Sequence, residues 1–339
     1  MNKLRRNSII FLLISGFLIW YILKDKFNES MHIILGSNIW WVIGALVLYI
    51  IYFVIESIIL KNVVGQINTK FTLKKALKLN SVTKFFNGIT PFASGGQPFQ
   101  VYEMSKDGIK PALGAIVCVE LFLIFQTTIV ALSVVAIIAN VIFKIIITTK
   151  ILKRLIWVGF IVNALILLLV YVLCTNNKAN RGILHFIIKA LHKIRIIPDQ
   201  EKALSTINRL VKEYSDGYKE LIKNKKNIIK CFILEVICLL ILFIAPLFVF
   251  NSLGPHDYLN VAKCIIISVY VFFVGSFMPM PGGAVGTEMA FISFFASHIN
   301  DQLLASALIS WRFITYYLPT IIGGIIFNIG SSRKKDKLA

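Results

Sequence analysis

Acidic residues are scarce in this chain: 16 Asp and Glu stand against 36 Lys and Arg over 339 residues. No Cys-x-x-Cys pair occurs, and Cys118, Cys174, Cys231, Cys238 and Cys264 lie singly in or beside apolar runs. That usage fits buried thiols acting as small hydrophobes and excludes a disulfide framework or thiolate zinc site. The histidines His32, His185, His192, His256 and His298 have no metal-ligand spacing, so no metal or other cofactor is expected. No serine stands in a Gly-x-Ser-x-Gly setting, and no glycine-rich turn leads into Gly-Lys-Ser/Thr. A nucleophile-elbow hydrolase and a P-loop NTPase are thereby excluded.

What is abundant is apolar side chain. The composition is 57% hydrophobic, and the mean hydropathy is +0.79. Several runs are long enough to cross a hydrocarbon layer of about 30 Å. The expected spans are 9–23, 39–60, a long run 112–143, 155–173, 228–250, 261–278 and 303–329. The 112–143 run exceeds one span, so it tilts, kinks or holds a second short crossing. The stretches 85–100 and 285–298 are too short or too broken for ordinary spans and read as re-entrant elements. The fold class is all-α, a polytopic membrane bundle of about seven or eight crossings in one transmembrane domain, residues 1–339.

The excess of 20 positive charges sits in the loops between apolar runs. There it orients a membrane protein and attracts anionic lipid headgroups, so nucleic acid is not an expected partner. Residues 61–84 hold Lys61, Lys70, Lys74, Lys75, Lys78 and Lys84 with no acid, which places them on the cytoplasmic side with the N-terminus. The 176–227 segment and the tail with Arg333, Lys334, Lys335 and Lys337 are placed there too. Lys144, Lys150, Lys153 and Arg154 break the rule, falling outside if each run crosses once. Leu204, Ile207, Leu210, Val211, Tyr214, Tyr218, Leu221 and Ile222 recur at three- and four-residue steps. They predict a basic amphipathic helix joining halves 1–174 and 228–330, lying on the inner leaflet or against the end of the bundle.

Two interruptions stand in comparable places in the halves. One is Pro91-Phe92-Ala93-Ser94-Gly95-Gly96-Gln97-Pro98, and the other is Pro279-Met280-Pro281-Gly282-Gly283-Ala284-Val285-Gly286. Proline removes a backbone donor and glycine frees the chain, so neither stretch is an unbroken helix. Paired breaks of this kind point to a transporter's substrate site. Apolar runs bearing Glu56 and Glu235 precede the breaks, and runs bearing Glu120 and Arg312 follow them, which suggests a duplication. Charges in such runs face a cavity or a partner. Arg312 needs a carboxylate such as Glu288, or a substrate phosphate; an Arg312–Glu288 pair serves as a helix lock, a site, or both. The expected substrate-binding residues are Pro91, Ser94, Gly95, Gly96, Gln97, Glu103, Glu120, Glu235, Pro281, Gly282, Gly283, Gly286, Glu288 and Arg312, with no catalytic residue. Thr90 and Thr287 add polar contacts.

The segments Phe86-Asn87-Gly88-Ile89-Thr90-Pro91, Gly95-Gly96-Gln97-Pro98 and Tyr102-Glu103, with Met280-Pro281-Gly282-Gly283-Ala284-Val285-Gly286-Thr287-Glu288, carry a family likeness. They resemble the lysylphosphatidylglycerol synthase transmembrane family, the flippase-like membrane part of the multiple peptide resistance factor. The resemblance spans nearly the whole chain. It implies translocation of an amino-acylated phosphatidylglycerol or another phosphate-bearing lipid, including a polyprenyl-linked one. In two-part members a soluble domain attaches the amino acid; this chain ends at Ala339 without one. A transporter is therefore expected, with phosphatidylglycerol lysyltransferase as the enzymatic alternative and a non-catalytic membrane scaffold as a third. A separate synthase or a second copy of the chain is the expected protein partner. Lys-, Ile- and Asn-rich usage suggests an AT-rich bacterial genome, and helical rather than barrel spans imply the inner membrane.

Overall fold

The computed structural model describes residues 27–90, 93–146, 148–175, 222–254, 259–275 and 286–335, with the single positions 182, 189, 217 and 218. The expected first span 9–23, most of the linking helix, Pro91 and the 279–285 break lie outside the described residues. Among the described residues all regular structure is helical. The helices are α1 (Phe27–Leu35), α2 (Ile39–Val64), α3 (Leu73–Gly88), α4 (Gly96–Lys106), α5 (Pro111–Phe143) and α6 (Lys150–Thr175). After the linking segment come α7 (Lys225–Ser252), α8 (Val261–Gly275), α9 (Gly286–Phe295), α10 (Asp301–Arg312) and α11 (Leu318–Lys335). A five-residue π-helix, Phe313–Tyr317, joins the last two.

Local chemistry sets these boundaries. Asn38, Thr72 and Asn300 cap α2, α3 and α10 by accepting from backbone amides two or three residues on. Pro111 opens α5, where its missing N–H costs nothing. Lys144 closes α5 in a left-handed conformation at φ 48°. The 112–143 run is one helix of 33 residues, about 50 Å long, with no second crossing.

Among the described residues five helices are long and apolar enough to span a membrane: α2, α5, α6, α7 and the continuous 301–329 unit. The protein is thus a multi-pass membrane protein. Trp157, Val158, Ile161, Leu165, Leu168 and Leu169 of α6 are exposed, as a lipid-facing surface requires. Helices α3, α4, α8 and α9 have 16, 11, 15 and 10 residues. At 1.5 Å per residue each falls short of the hydrocarbon thickness. They pack as two hairpins, α3 on α4 and α8 on α9.

The order long helix, short helix, short helix, long unit therefore occurs twice, as α2–α5 and as α7–α11. Helices α2 and α7 form the most extensive contact between elements. They run antiparallel, since Asn227 Nδ2 donates to the Asn62 carbonyl at one end and the Asn38 amide to the Ser252 carbonyl at the other. Each hairpin then packs on the final helix of the other run, α3 on α11 and α8 on α5. The two runs thus enclose a central space with opposite polarity, as an inverted repeat does.

Candidate functional site

The space between the runs is a cavity of about 690 Å³, within the range for small-molecule sites. Its polar wall begins on α3. Asn80, Thr83, Lys84 and Asn87 recur at three- and four-residue steps and all face the cavity, while Leu79, Val82 and Phe85 are buried elsewhere on the helix. Gln97 and Gln100 of α4 and Thr287 of α9 bring both hairpins to the cavity.

Two ion pairs organise the charges. Lys84 Nζ donates to Glu56 Oε1 at 2.7 Å and to the Tyr52 hydroxyl at 2.9 Å. Glu56 also accepts from Asn80 Nδ2 at 3.1 Å and from Tyr52 at 3.3 Å, so it is fully satisfied. Lys84→Met should destabilise the fold by about 2 kcal/mol, because Glu56 loses its counter-charge; Lys84→Met with Glu56→Gln should recover most of that loss. Thermal unfolding of the purified variants checks both outcomes.

The second pair is deeper. Arg312 Nε donates to Glu288 Oε1 at 2.7 Å, with the side chains 6% and 2% exposed. The Tyr316 and Trp311 rings lie 5.0 and 5.6 Å from the guanidinium carbon, placing π-faces against the cation. Trp311 stacks on Phe291 at 4.8 Å, which fixes that wall. Arg312 Nη2 and Glu288 Oε2 are buried with no hydrogen-bond partner. Arg312 lines the cavity, so this pair keeps a spare donor at its edge.

Backbone irregularity aims these groups. The π-helix begins one residue after Arg312, and Pro319 has no N–H for the carbonyl of Thr315. Arg312, Thr315, Tyr316, Pro319 and Thr320 all face the cavity across this irregular turn. Pro246 inside α7 also faces it, and the nearby Phe243 carbonyl accepts from Ser268 Oγ at 2.9 Å.

The cavity brings together only part of the expected set. Gln97, Glu235 and Arg312 line it, with Glu288 directly behind Arg312. Gly95 and Gly96 give their amides to Thr90 Oγ1 at 2.8 Å and Asn87 Oδ1 at 2.9 Å, so these donors are engaged within the chain. A Cβ on Gly95 would stand 2.6 Å from Thr90 Cγ2, and one on Gly96 would collide with Asn87 Oδ1, so both positions require glycine for close packing. Gly286 opens α9 and is buried, and Ser94 is exposed at the first break. Glu103 pairs with Lys106 one turn on along α4, away from the cavity lining. Glu120 accepts from Gln66 Nε2 at 3.4 Å, also outside the lining. Pro91, Pro281, Gly282 and Gly283 lie outside the described residues. Among the described residues no cluster of His, Cys, Asp and Glu could hold a metal.

On the α5–α6 side the cavity wall turns apolar, with Leu121, Phe122, Phe125 and Ile166. Gln126 Nε2 donates to Asn163 Oδ1 at 2.9 Å and ties these two helices together. A shallow apolar crevice lined by Thr127, Ala164, Leu167, Leu168 and Tyr171 adjoins the same helices, one residue along from Gln126, Asn163 and Ile166. The cavity and the apolar crevice thus flank one hydrogen-bonded seam.

Paired short-helix hairpins around a central cavity with charged residues in its wall define a polytopic helical membrane protein. Residues 8–323 match the family described as the lysylphosphatidylglycerol synthase TM region, and the chain belongs to that family. It is also similar to UPF0104 membrane proteins of archaea. One from Methanocaldococcus jannaschii is 25% identical over 354 residues, covering 99% of this chain and 98% of the relative. One from Archaeoglobus fulgidus is 23% identical over 319 residues, covering 91% and 93%. One from Pyrococcus horikoshii is 19% identical over 311 residues, covering 88% and 90%.

Proposed function

We propose that this protein moves a phosphate-bearing lipid between the leaflets of a cell membrane, holding its headgroup in the central cavity. The observation that carries this is Arg312: the Nε edge of its guanidinium is bound to Glu288, and its Nη2 is buried and without a hydrogen-bond partner. A planar cation held at one edge with a donor left unpaired at another suits a phosphate oxygen. Lys84 is the second cation in the wall, and the amide side chains of Asn87, Gln97 and Gln100 supply further polar contacts. The acyl chains stay outside, along the apolar crevice between α5 and α6. The family description supports a lipid of the phosphatidylglycerol type, including an amino-acylated one.

Reconstitution tests this. Vesicles containing the protein and tail-labelled fluorescent phosphatidylglycerol should lose label beyond the outer-leaflet share when a membrane-impermeant reductant is added. Quenching confined to the outer leaflet would contradict the proposal.

We place the face bearing Lys61, Lys74, Lys75 and Lys225 in the cytoplasm with the N-terminus, and Lys144–Arg154 outside. Four basic segments outweigh one against them, and the antiparallel α2–α7 pair gives the two hairpins opposite entry sides. A cysteine at Lys150 should react with an impermeant maleimide in intact cells, and one at Lys74 only after permeabilisation. The five native cysteines are buried and give a low background.

A further inference from the structure

One charged group in the cavity wall is left over. Glu235 of α7 is 7% exposed and lines the cavity. Among the described residues it makes no hydrogen bond or ion pair, whereas Glu56 and Glu288 are each held by a cation. The groups that share the cavity wall with it come from several helices. Helix α2 presents Glu56, Tyr52 and Tyr49, α3 presents Lys84, α5 presents Cys118, and α10 presents Arg312. On its own helix Cys231 and Cys238 lie one turn away on either side. Helix α8 brings Ser268, which is committed to the Phe243 carbonyl, and Glu120 of α5 is bound by Gln66 off the cavity.

These charges do not balance. With Lys84 and Arg312 positive and Glu56, Glu235 and Glu288 negative, the site carries one net negative charge. A proton on Glu235 brings it to neutrality. An ionised carboxylate without a counter-ion in a buried wall is costly, and it repels a lipid phosphate entering the same space.

We propose that Glu235 is a proton-binding site coupled to the lipid headgroup, which makes the protein a proton–lipid symporter. The inference rests on the cavity being a phosphate-lipid site. As the headgroup enters, the Glu235 carboxylate takes one proton from water to become the neutral acid; as the headgroup leaves, it returns that proton. By linkage, each ligand raises the affinity of the other by the same factor. The sign follows. A phosphate favours the protonated acid, so lipid affinity is full at low pH. It falls about tenfold per pH unit once the free carboxyl ionises, and levels off when the lipid-bound carboxyl has ionised too.

Calorimetric titration of the purified full-length protein with short-chain phosphatidylglycerol, in two buffers of different ionisation enthalpy, separates lipid binding from proton uptake. The wild type should take up as much as one proton per lipid, with affinity weakening from about pH 5 to about pH 9. Glu235→Gln should take up none and bind with one affinity across that range, and Glu235→Asp should restore both uptake and pH dependence. Wild-type binding without proton uptake would overturn the coupling and leave the headgroup site standing. Uptake undiminished in Glu235→Gln would overturn the assignment to this residue. No saturable binding at any pH would overturn both the coupling and the headgroup site.

Discussion

Arg312→Ala should destabilise the protein by about 3–5 kcal/mol and abolish lipid movement. Removing one partner of a buried pair leaves the other charge unpaired, and Glu288 is 2% exposed on its side chain with Oε2 already lacking a partner. Loss of function alone would not separate a lock from a site. The informative variant removes both charges, Arg312→Met with Glu288→Leu. Replacing a buried pair by apolar side chains of similar volume is often neutral or stabilising, so the double variant should melt within about 1 kcal/mol of wild type. It should still bind phosphatidylglycerol far more weakly, because the unpaired guanidinium donor is gone. One charge-assisted contact contributes about 1.5–3 kcal/mol, or roughly 10- to 150-fold in affinity. A double variant that folds and binds like wild type would make the pair a helix lock only.

The second large effect is structural. Helices α3 and α11 approach so closely that a Cβ on Gly323 would collide with the Ser81 carbonyl oxygen. A Cβ on Gly324 would stand 3.1 Å from the Phe85 ring, and one on Gly88 would stand 2.6 Å from Thr320 Oγ1. Overpacking a core costs about 1–3 kcal/mol when flexible side chains can yield. Here the obstruction is backbone, so Gly323→Leu should cost at least the top of that range and spread α3 from α11. Spreading them carries the Asn80–Asn87 stripe away from Arg312, so lipid binding should fall with stability. Gly36→Ala is the control, since its nearest neighbour would stand at 3.6 Å, ordinary contact. Thermal unfolding in detergent should separate the two variants clearly.

The long spans were legible because continuous apolar runs have few alternatives at this hydropathy. The four hairpin helices were legible only as interruptions, since proline and glycine mark where a helix stops and do not reveal what the pieces pack on. Arg312 with Glu288 could be read as a pair because membrane charges need partners. Lys84 was hidden in a different way. It closes a lysine-rich segment that reads as a cytoplasmic loop, yet Asn80, Thr83, Lys84 and Asn87 follow helical spacing and could have been read as one polar face. Glu103 and Glu120 show the converse, because their helices present other stripes to the cavity: Gln97 and Gln100 on α4, and Cys118, Leu121, Phe122 and Phe125 on α5. Gly95 and Gly96 are expected to bind substrate, and side chains from nine or fewer residues away, Thr90 and Asn87, take up their amides. No periodicity in a single chain carries that information.

The most direct test of a phosphate-lipid cavity is mass spectrometry of the lipids retained by gently extracted protein, comparing wild type with the Arg312→Met, Glu288→Leu double variant. A specific phosphate-bearing lipid held by wild type and absent from the folded double variant is the expected result, and it would name the substrate. The same bulk lipids on both proteins would contradict the account.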